Sequence, residues 1–319
     1  MKNYIAIVAG EPNSINSEII VKALKKTNRK KHFFIIGNFS IFKKQIDKIG
    51  LKFKISKITS IKDLENIKNF GVLDVPLNFG SIFEKNSNLT KNYVLKCLDI
   101  AHNLAVNKKI KGFINAPVEK KIFNNKYLGV TEYLGKKNKT NSKEVMLIHN
   151  KMLSVLPLTT HLEIKNVTNK IKPDLIKKKL ITLNKFYYKF WKAKPQIIVL
   201  GLNPHNSENR RNSIENRIIK PSIKYLKRLG LNIEGPFPAD TAFIKNKKKI
   251  HTVIVGMYHD QVLAPFKALY KYNAINITLG LKYMRVSPDH GVARDIAGLN
   301  QANAQSMISS INFLNKIND

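Results

Sequence analysis

Short apolar runs alternate with amphipathic stretches along the whole chain. The runs are rich in Val, Ile and Leu and lack a polar residue at every second position, which is typical of strands buried on both faces. They cover Tyr4–Ala9, Phe33–Gly37, Gly112–Ile114, Val145–Ile148, Met152–Leu158, Gln196–Leu202, Thr252–Met257 and Ala274–Leu279. Each run predicts a buried β-strand.

Between these runs, apolar residues recur at helical spacing. The predicted helices cover Ser17–Lys26, Ser40–Ile49, Thr90–Val106, Ile171–Phe190 and Ser213–Leu229, the last interrupted near Pro221. Alternation of strands and helices predicts an α/β fold with largely parallel sheets. The sequence shows no internal repeat and no linker, so a division into domains must come from crossings of the chain.

Composition narrows the class of protein. The 319 residues, 43% of them hydrophobic, are typical of a globular protein with a large core. The single cysteine, Cys97, excludes an internal disulfide and a thiolate zinc site, so a metal would need histidines and carboxylates. The N-terminal apolar run is too short for a signal peptide, and no stretch approaches the ~18 apolar residues of a membrane span. We therefore expect a cytoplasmic protein with no membrane partner.

The formal net charge is +35. A charge of this size can indicate binding to nucleic acid or to a membrane surface through phosphates. Here the lysines are spread through nearly every segment, and no zinc finger, arginine cluster or aromatic-rich basic strand accompanies them. Dispersed charge is typical of solvated faces, so we expect no nucleic-acid partner.

Three histidines follow the carboxyl ends of predicted strands: His161, His205 and His259. In open α/β sheets ligands bind at these ends, and neutral imidazoles there could share one divalent ion. Any one of them alone is more often a structural loop histidine. Their spacing indicates a metal site without showing that the three converge.

Two aspartates are candidates for proton transfer. Asp260 directly follows His259 and could orient the imidazole or accept a proton. Asp240 lies in a loop of turn residues and could equally cap a helix. On local grounds a structural role is as well supported for either carboxylate.

Nine segments, in order along the whole chain, resemble the 4-hydroxythreonine-4-phosphate dehydrogenase family. They are GEPNSINSEI at 10–19, INAPVEK at 114–120, LGVTEYLG at 128–135, LPLTTHL at 156–162, GLNPH at 201–205, PADTAF at 238–243, MYHDQ at 257–261, NITLGL at 276–281 and DHGVARDIAG at 289–298. The last segment is also similar to the nucleotide loop of isocitrate and isopropylmalate dehydrogenases. That superfamily binds NAD without the Rossmann glycine fingerprint, which this sequence lacks.

The resemblance implies a role for each candidate residue. It implies one divalent metal ion, such as Zn, Mg or Co, bound by His161, His205 and His259. The implied substrate-binding residues are Thr131, Lys267, Asn276 and Arg285. NAD or NADP would lie near His290, Gly291 and Asp295, and the base would be Asp260 or Asp240.

The resemblance also implies an architecture and a reaction. We expect two interleaved α/β/α sub-domains, approximately 1–115 with 245–319 and 116–244, with the active site in the cleft between them. A homodimer would share its active sites across the interface. The implied reaction is oxidation with decarboxylation of 4-phosphohydroxy-L-threonine to 3-amino-1-hydroxyacetone 1-phosphate in pyridoxal phosphate synthesis.

Several positions depart from the family pattern. Val130 stands where the family has histidine, and glycines of the family are replaced in the segments 13–16, 207–209 and 299–300. Glycine lets a backbone approach a ligand closely, so these changes bear on the substrate. Two alternatives therefore stay open: a dehydrogenase of threonate or erythronate 4-phosphate, and a basic nucleic-acid-binding protein on an enzyme scaffold.

Overall fold

Buried strands and amphipathic helices alternate along the chain, as the sequence pattern predicts. The structure, a computed structural model, describes residues 4–27, 32–83, 88–124, 126–246 and 249–317. The chain forms two units, of which the first contains residues 1–130 and 282–319 and the second contains residues 131–281. The α/β class with largely parallel strands is confirmed.

The first unit has six strands in the order β3-β4-β2-β1-β5-β12. Each of these strands pairs in parallel with its neighbours in this unit. Their bounds are β1 Ile5–Val8, β2 Phe33–Gly37, β3 Ile55–Ile58, β4 Phe70–Asp74, β5 Gly112–Asn115 and β12 Met284–Pro288. The carboxyl ends of β1, β5 and β12 therefore meet at one edge of this sheet.

The second unit has six strands in the order β11-β6-β7-β10-β8-β9. Their bounds are β6 Val145–His149, β7 Ser154–Pro157, β8 Gln196–Leu200, β9 Ile233–Phe237, β10 Thr252–Gly256 and β11 Ile275–Leu279. Strand β6 runs antiparallel to both neighbours, whereas β7, β10, β8 and β9 are parallel to one another. The carboxyl ends of β7, β10 and β8 thus lie side by side.

The limits of the units differ from those expected near 115 and 245. Strand β10 pairs with β7 and β8, and β11 pairs with β6, so both late strands belong with the central part of the chain. Strand pairing of this kind is long-range and leaves no mark on local sequence. The second crossing consequently falls after Leu281.

Ten α-helices lie within the described ranges: α1 Asn16–Lys25, α2 Phe39–Lys48, α3 Asn88–Val106, α4 Val130–Lys137, α5 Ile164–Lys170, α6 Pro173–Trp191, α7 Lys220–Arg228, α8 Ala239–Asn246, α9 His259–Tyr270 and α10 Gln305–Ile317. The interruption expected near Pro221 is present, because a π-helical turn over Glu215–Ile219 precedes α7. Proline lacks the N–H that would continue the earlier helical pattern.

The hydrophobic pattern did not predict four of the strands: β3, β4, β9 and β12. Strands β3 and β9 are the outermost strands of their units and are partly exposed, so they carry no continuous apolar run. Strand β12 is fully buried but contains Arg285 and Ser287. A guanidinium in a buried strand needs a hydrogen-bond partner, and Arg285 Nε donates to Asn115 Oδ1 at 2.5 Å.

Helix α9 packs firmly against the strands of the second unit. Its residues Val262, Leu263 and Phe266 repeat at helical spacing and are buried in one apolar cluster with Val155 of β7 and Ile254 of β10. Burial of each such side chain contributes roughly 1.5–3 kcal/mol. This packing fixes the first residue of α9, which is His259.

A cluster of aromatic and histidine side chains lies at the other end of the second unit's sheet. His149 Nδ1 contacts Ser154 Oγ at 2.8 Å, and its ring centroid is 5.0 Å from that of Trp191. Trp191 stacks on Tyr187 at 4.3 Å, and the Tyr187 hydroxyl contacts His251 Nδ1 at 3.3 Å. Burial, together with the nearby His251, lowers the pKa of His149 to about 4.

This burial predicts a loss of stability in mild acid. An unfolded histidine titrates near 6.5, so between pH 6.5 and 4 the unfolded state binds the proton that folded His149 does not. The free energy of unfolding should fall by roughly 1–3 kcal/mol as the pH drops through that window. Urea unfolding followed by the fluorescence of Trp191, the only tryptophan, measures it.

We expect His149→Gln to flatten this pH dependence, because glutamine does not titrate. The exposed His32 provides the matched control, and His32→Gln should leave the slope unchanged. Equal slopes in wild type and His149→Gln would show that His149 is not the group responsible.

Candidate active site

The edge formed by β7, β10 and β8 carries the three histidines singled out from sequence. His161 follows β7, His205 follows β8, and His259 begins α9 directly after β10. Because the three strands are parallel neighbours, their following loops emerge at the same edge of the second unit.

Two of these histidines lie next to each other. The ring centroids of His161 and His259 are 5.5 Å apart, and both rings line a small open pocket. Thr159, Tyr258 and Asp260 also line it. His259 Nδ1 contacts Asp260 Oδ1 at 2.6 Å, so the aspartate orients this imidazole and leaves Nε2 for another partner.

His205 stands apart from this pair. Its side chain is 67% exposed, and its Nδ1 contacts Glu208 Oε1 at 3.1 Å. Among the described residues, no group of three or more His, Cys, Asp and Glu side chains has an arrangement that could hold a metal ion. The structure therefore brings the rings of His161 and His259 together, with Asp260 bonded to His259, and places His205 at the end of the neighbouring strand β8.

Strained backbone accompanies these histidines. His161 has φ 51° and His205 has φ 45°, both in the left-handed region. The turn continues from His205 to Asn209 with φ between 45° and 57° at all five residues, none of which is glycine. Left-handed conformation costs roughly 1–2 kcal/mol for each ordinary residue, so surrounding contacts must hold this turn.

Glu215 supplies those contacts. Its carboxylate accepts hydrogen bonds from the backbone N–H of Leu202 and Asn203 at 3.0 and 2.9 Å, and from Ser207 Oγ at 3.0 Å. Burial acts to raise the pKa of Glu215, but the hydrogen bonds from Asn203 and Ser207 outweigh it and hold the pKa below its ordinary value. Glu215 thus positions the turn that carries His205, although no sequence motif drew attention to it.

Of the remaining candidate site residues in the second unit, two lie at or near a buried contact between α4 and β11, and two are exposed. Thr131 is buried in the first turn of α4, and its hydroxyl contacts that of Thr278 at 3.2 Å. Asn276 lies two residues from Thr278 in β11 and so projects from the same face of the strand. Lys267 in α9 and Asp240 in α8 are exposed. Asp240 is the second residue of α8, so it is not the N-cap residue, and its Oδ1 accepts from the adjacent backbone N–H of Thr241 at 2.9 Å.

In the first unit, the predicted nucleotide loop follows β12. His290 Nδ1 contacts the carbonyl oxygen of Gly291 at 2.9 Å, and Asp295 is exposed in a short 3-10 turn over Arg294–Ile296. The carbonyl oxygen of Val292 accepts from the backbone N–H of Ile15 at 3.1 Å. This bond joins the loop after β12 to the loop after β1.

Arg294 ties the same loops together through carboxylates. Its guanidinium donates to Glu119, which follows β5, and lies 3.9 Å from Glu11, which follows β1. Burial raises the pKa of Glu11 to about 7 although Arg294 opposes the shift. All three residues lie inside the quoted motifs. Their pairing was not foreseen, because it joins segments far apart in the sequence.

Comparison with known protein families shows to which family the chain belongs. The model of the family described as "Pyridoxal phosphate biosynthetic protein PdxA" matches residues 29–314. The chain belongs to the PdxA family. The 4-hydroxythreonine-4-phosphate dehydrogenase of Sulfurihydrogenibium sp. (strain YO3AOP1) is 36% identical over 316 residues, which cover 96% of this chain and 96% of that protein.

Two further relatives span nearly the whole length of this PdxA-family chain. A protein of Oceanobacillus iheyensis, provisionally named a D-threonate 4-phosphate dehydrogenase, is 29% identical over 97% of the chain and 96% of its own length. The crystal structure of 4-hydroxythreonine-4-phosphate dehydrogenase from Klebsiella pneumoniae matches with a TM-score of 0.85 and 27% identity, covering 99% of this chain and 100% of that one. No helix in the described part of this PdxA-family protein is long and apolar enough to cross a membrane.

The role of Glu215 can be tested by Glu215→Gln. Both oxygens of this carboxylate accept hydrogen bonds. Glutamine would replace one of these oxygens with an NH₂ group, which cannot accept a hydrogen bond from the N–H and O–H groups that face it. We expect the free energy of unfolding in urea to fall by about 1–3 kcal/mol. Divalent-ion binding, measured by calorimetry, should weaken with it if His205 is a ligand.

Glu234 is exposed in β9 and provides the matched control. Glu234→Gln should change neither the urea midpoint nor the ion affinity. Equal stability of Glu215→Gln and wild type would contradict the assignment of Glu215 as the support of this turn.

Proposed function

We propose that this protein is an NAD- or NADP-linked 4-hydroxythreonine-4-phosphate dehydrogenase. It oxidises 4-phosphohydroxy-L-threonine with loss of CO₂ to 3-amino-1-hydroxyacetone 1-phosphate, which serves pyridoxal phosphate synthesis in the cytoplasm. The observation that carries the proposal is membership of the PdxA family over residues 29–314, together with a relative at 36% identity that bears this enzyme name.

His161, His205 and His259 are the residues we propose for one divalent ion, of Zn, Mg or Co. Support comes from their place on adjacent strand ends and from the contact between the rings of His161 and His259. A bound ion would supply Lewis-acid polarisation of the hydroxyl and carboxylate oxygens of the substrate. Asp260 orients His259 through its hydrogen bond at Nδ1.

The chain's own groups bind substrate and move the proton. Thr131, Asn276, Lys267 and Arg285 are the proposed substrate residues, and Arg and Lys suit phosphate and carboxylate groups. Asp260 lines the pocket beside His259 and is the proposed acceptor of the hydroxyl proton. Asp240 does not line this pocket and is the second candidate for the base.

The cofactor is proposed to lie at the loop that contains His290, Gly291 and Asp295. In support, this loop follows the carboxyl end of a parallel strand, which is where nucleotides bind in α/β proteins. The residue types in the loop do not distinguish NAD from NADP.

A dehydrogenase of threonate 4-phosphate is the second candidate. Val130, the first residue of α4, stands where the family has histidine, and the Oceanobacillus relative bears the threonate name. Valine can neither donate a hydrogen bond nor carry charge toward a phosphate or carboxylate. A different substrate would explain its presence, so both phosphorylated acids belong in the assay.

We predict metal-dependent reduction of NAD or NADP with 4-phosphohydroxy-L-threonine as substrate. His161→Ala and His259→Ala should each lower kcat/KM by about 100-fold or more, since each removes a donor that holds the ion at the developing charge. Absorbance at the reduced nicotinamide band and metal content per chain are the two measurements.

The exposed His32 again gives the control, and His32→Ala should retain full activity and metal content. A folded His259→Ala protein with wild-type turnover would refute the assignment. If the wild type turned over threonate 4-phosphate and not 4-phosphohydroxy-L-threonine, the second candidate function would be the correct one.

We also propose that the protein is a homodimer that shares its active sites, as its resemblance to the family implies. Light scattering at micromolar concentration and physiological ionic strength should give twice the mass of the 36.4 kDa chain. The salt matters because a net charge of +35 repels a second copy at low ionic strength. A fully active species with the mass of one chain would rule out the shared site.

A further inference from the structure

A carboxylate with one unused oxygen lies beside the loop that carries His161. Glu132 is in the first turn of α4, and its Oε1 accepts a hydrogen bond from Thr160 Oγ1 at 3.0 Å. Thr160 directly precedes His161. Glu132 Oε2 is buried and has no hydrogen-bond partner in the described part of the chain. A buried carboxylate oxygen without a donor is unfavourable, so its retention calls for a ligand.

Lys179 interacts electrostatically with Glu132 but does not fill this role. Burial lowers the pKa of Lys179, and the carboxylates of Glu144 and Glu132 oppose that shift, so the Lys179 charge is felt at Glu132. Its amino group, however, donates to the backbone oxygen of Glu144. No ion pair joins Lys179 to Glu132 within the described residues, so Lys179 leaves Oε2 without a bonded cation.

A second unpartnered acceptor belongs to the same part of the second unit. Thr131, the residue before Glu132, contacts Thr278 in β11. Two residues along that strand, Asn276 Oδ1 is buried and also lacks a partner among the residues described. Both unused atoms are oxygens, so the ligand they suit is a hydrogen-bond donor, and the charge on Glu132 favours a cationic one.

The two candidate substrates differ in the group such oxygens would recognise. 4-Hydroxythreonine 4-phosphate carries an ammonium at the carbon where threonate 4-phosphate carries a hydroxyl. We propose that Glu132 Oε2 accepts a hydrogen bond from the substrate ammonium and thereby selects the amino acid phosphate over the hydroxy acid phosphate. The inference rests on the proposed function and names the specificity residue of that same site.

Support of the loop alone would not account for the geometry. Oε1 suffices to hold Thr160, and a glutamine would hold it equally well through its amide oxygen. What glutamine removes is the negative charge and the second acceptor. Glu132→Gln therefore separates recognition of the ammonium from support of the His161 loop.

The experiment measures kcat and KM for both phosphorylated substrates in wild type and Glu132→Gln, with metal affinity determined by calorimetry using Zn²⁺ or Co²⁺. A charge-assisted hydrogen bond corresponds to about tenfold to a hundredfold in affinity. We expect kcat/KM for 4-hydroxythreonine 4-phosphate to fall by about that factor, mainly through KM. The value for threonate 4-phosphate should stay level or rise, and metal affinity should not change.

Glu163→Gln is the matched control, because Glu163 lies two residues beyond His161 and its side chain is 68% exposed, paired with Lys165. It should leave the substrate preference unchanged. Glu132→Asp is a second test that keeps the charge but withdraws it by one methylene, and it should reduce the same preference by a smaller factor.

An equal loss for both substrates, or a loss of metal affinity, would overturn the inference and leave Glu132 as a support of the loop. Wild-type protein that turns over only threonate 4-phosphate would instead refute the proposed function. A preference for the amino substrate that survives both Glu132 variants would refute the inference while the proposed function stands.

Discussion

The placement of β10 between β7 and β8 is the constraint on which the rest of the second unit depends. Parallel pairing aligns Gly256 with Pro157 and Val255 with Val199. Three loops separated by about fifty residues each along the chain therefore begin at one edge. The apolar contacts that hold α9 against these strands then set the position of His259. Chemistry at this edge follows from the order of strands in the sheet, because no local segment contains more than one of the histidines.

Around this apolar framework, buried and partly buried carboxylates connect the loops. Glu215 gathers the backbone after β8, and Glu132 joins α4 to the loop after β7. In the first unit, Arg294 joins two loops through Glu119 and Glu11. Each carboxylate accepts hydrogen bonds from, or lies near a charge on, a segment distant in sequence. In a chain with 56 basic and 21 acidic residues, these few acids each connect separate segments of the chain.

Most of the strands and part of the candidate site could be predicted from the sequence. The features that could not be predicted depend on contacts between residues distant in the chain. All eight apolar runs became strands because burial on both faces demands a continuous apolar segment. Strand β12 was missed because its Arg285 is satisfied by Asn115, a contact that local composition cannot reveal. In the site, the neighbouring positions of His161 and His259 follow from their strand ends. The separate position of His205 does not, because it depends on a left-handed turn held by Glu215.

The left-handed residues also bear on how this chain has diverged from its family. The resemblance to the family implies glycine at the positions of Ser207, Asn209 and Asn300, and all three have φ between 55° and 58°. This chain therefore holds the left-handed conformation with residues other than glycine. Asparagine is the side chain that enters this region at least strain, so drift from glycine to asparagine can be absorbed without refolding the loop. A sequence pattern that requires glycine at these positions would therefore exclude this chain, although its backbone has the left-handed turn.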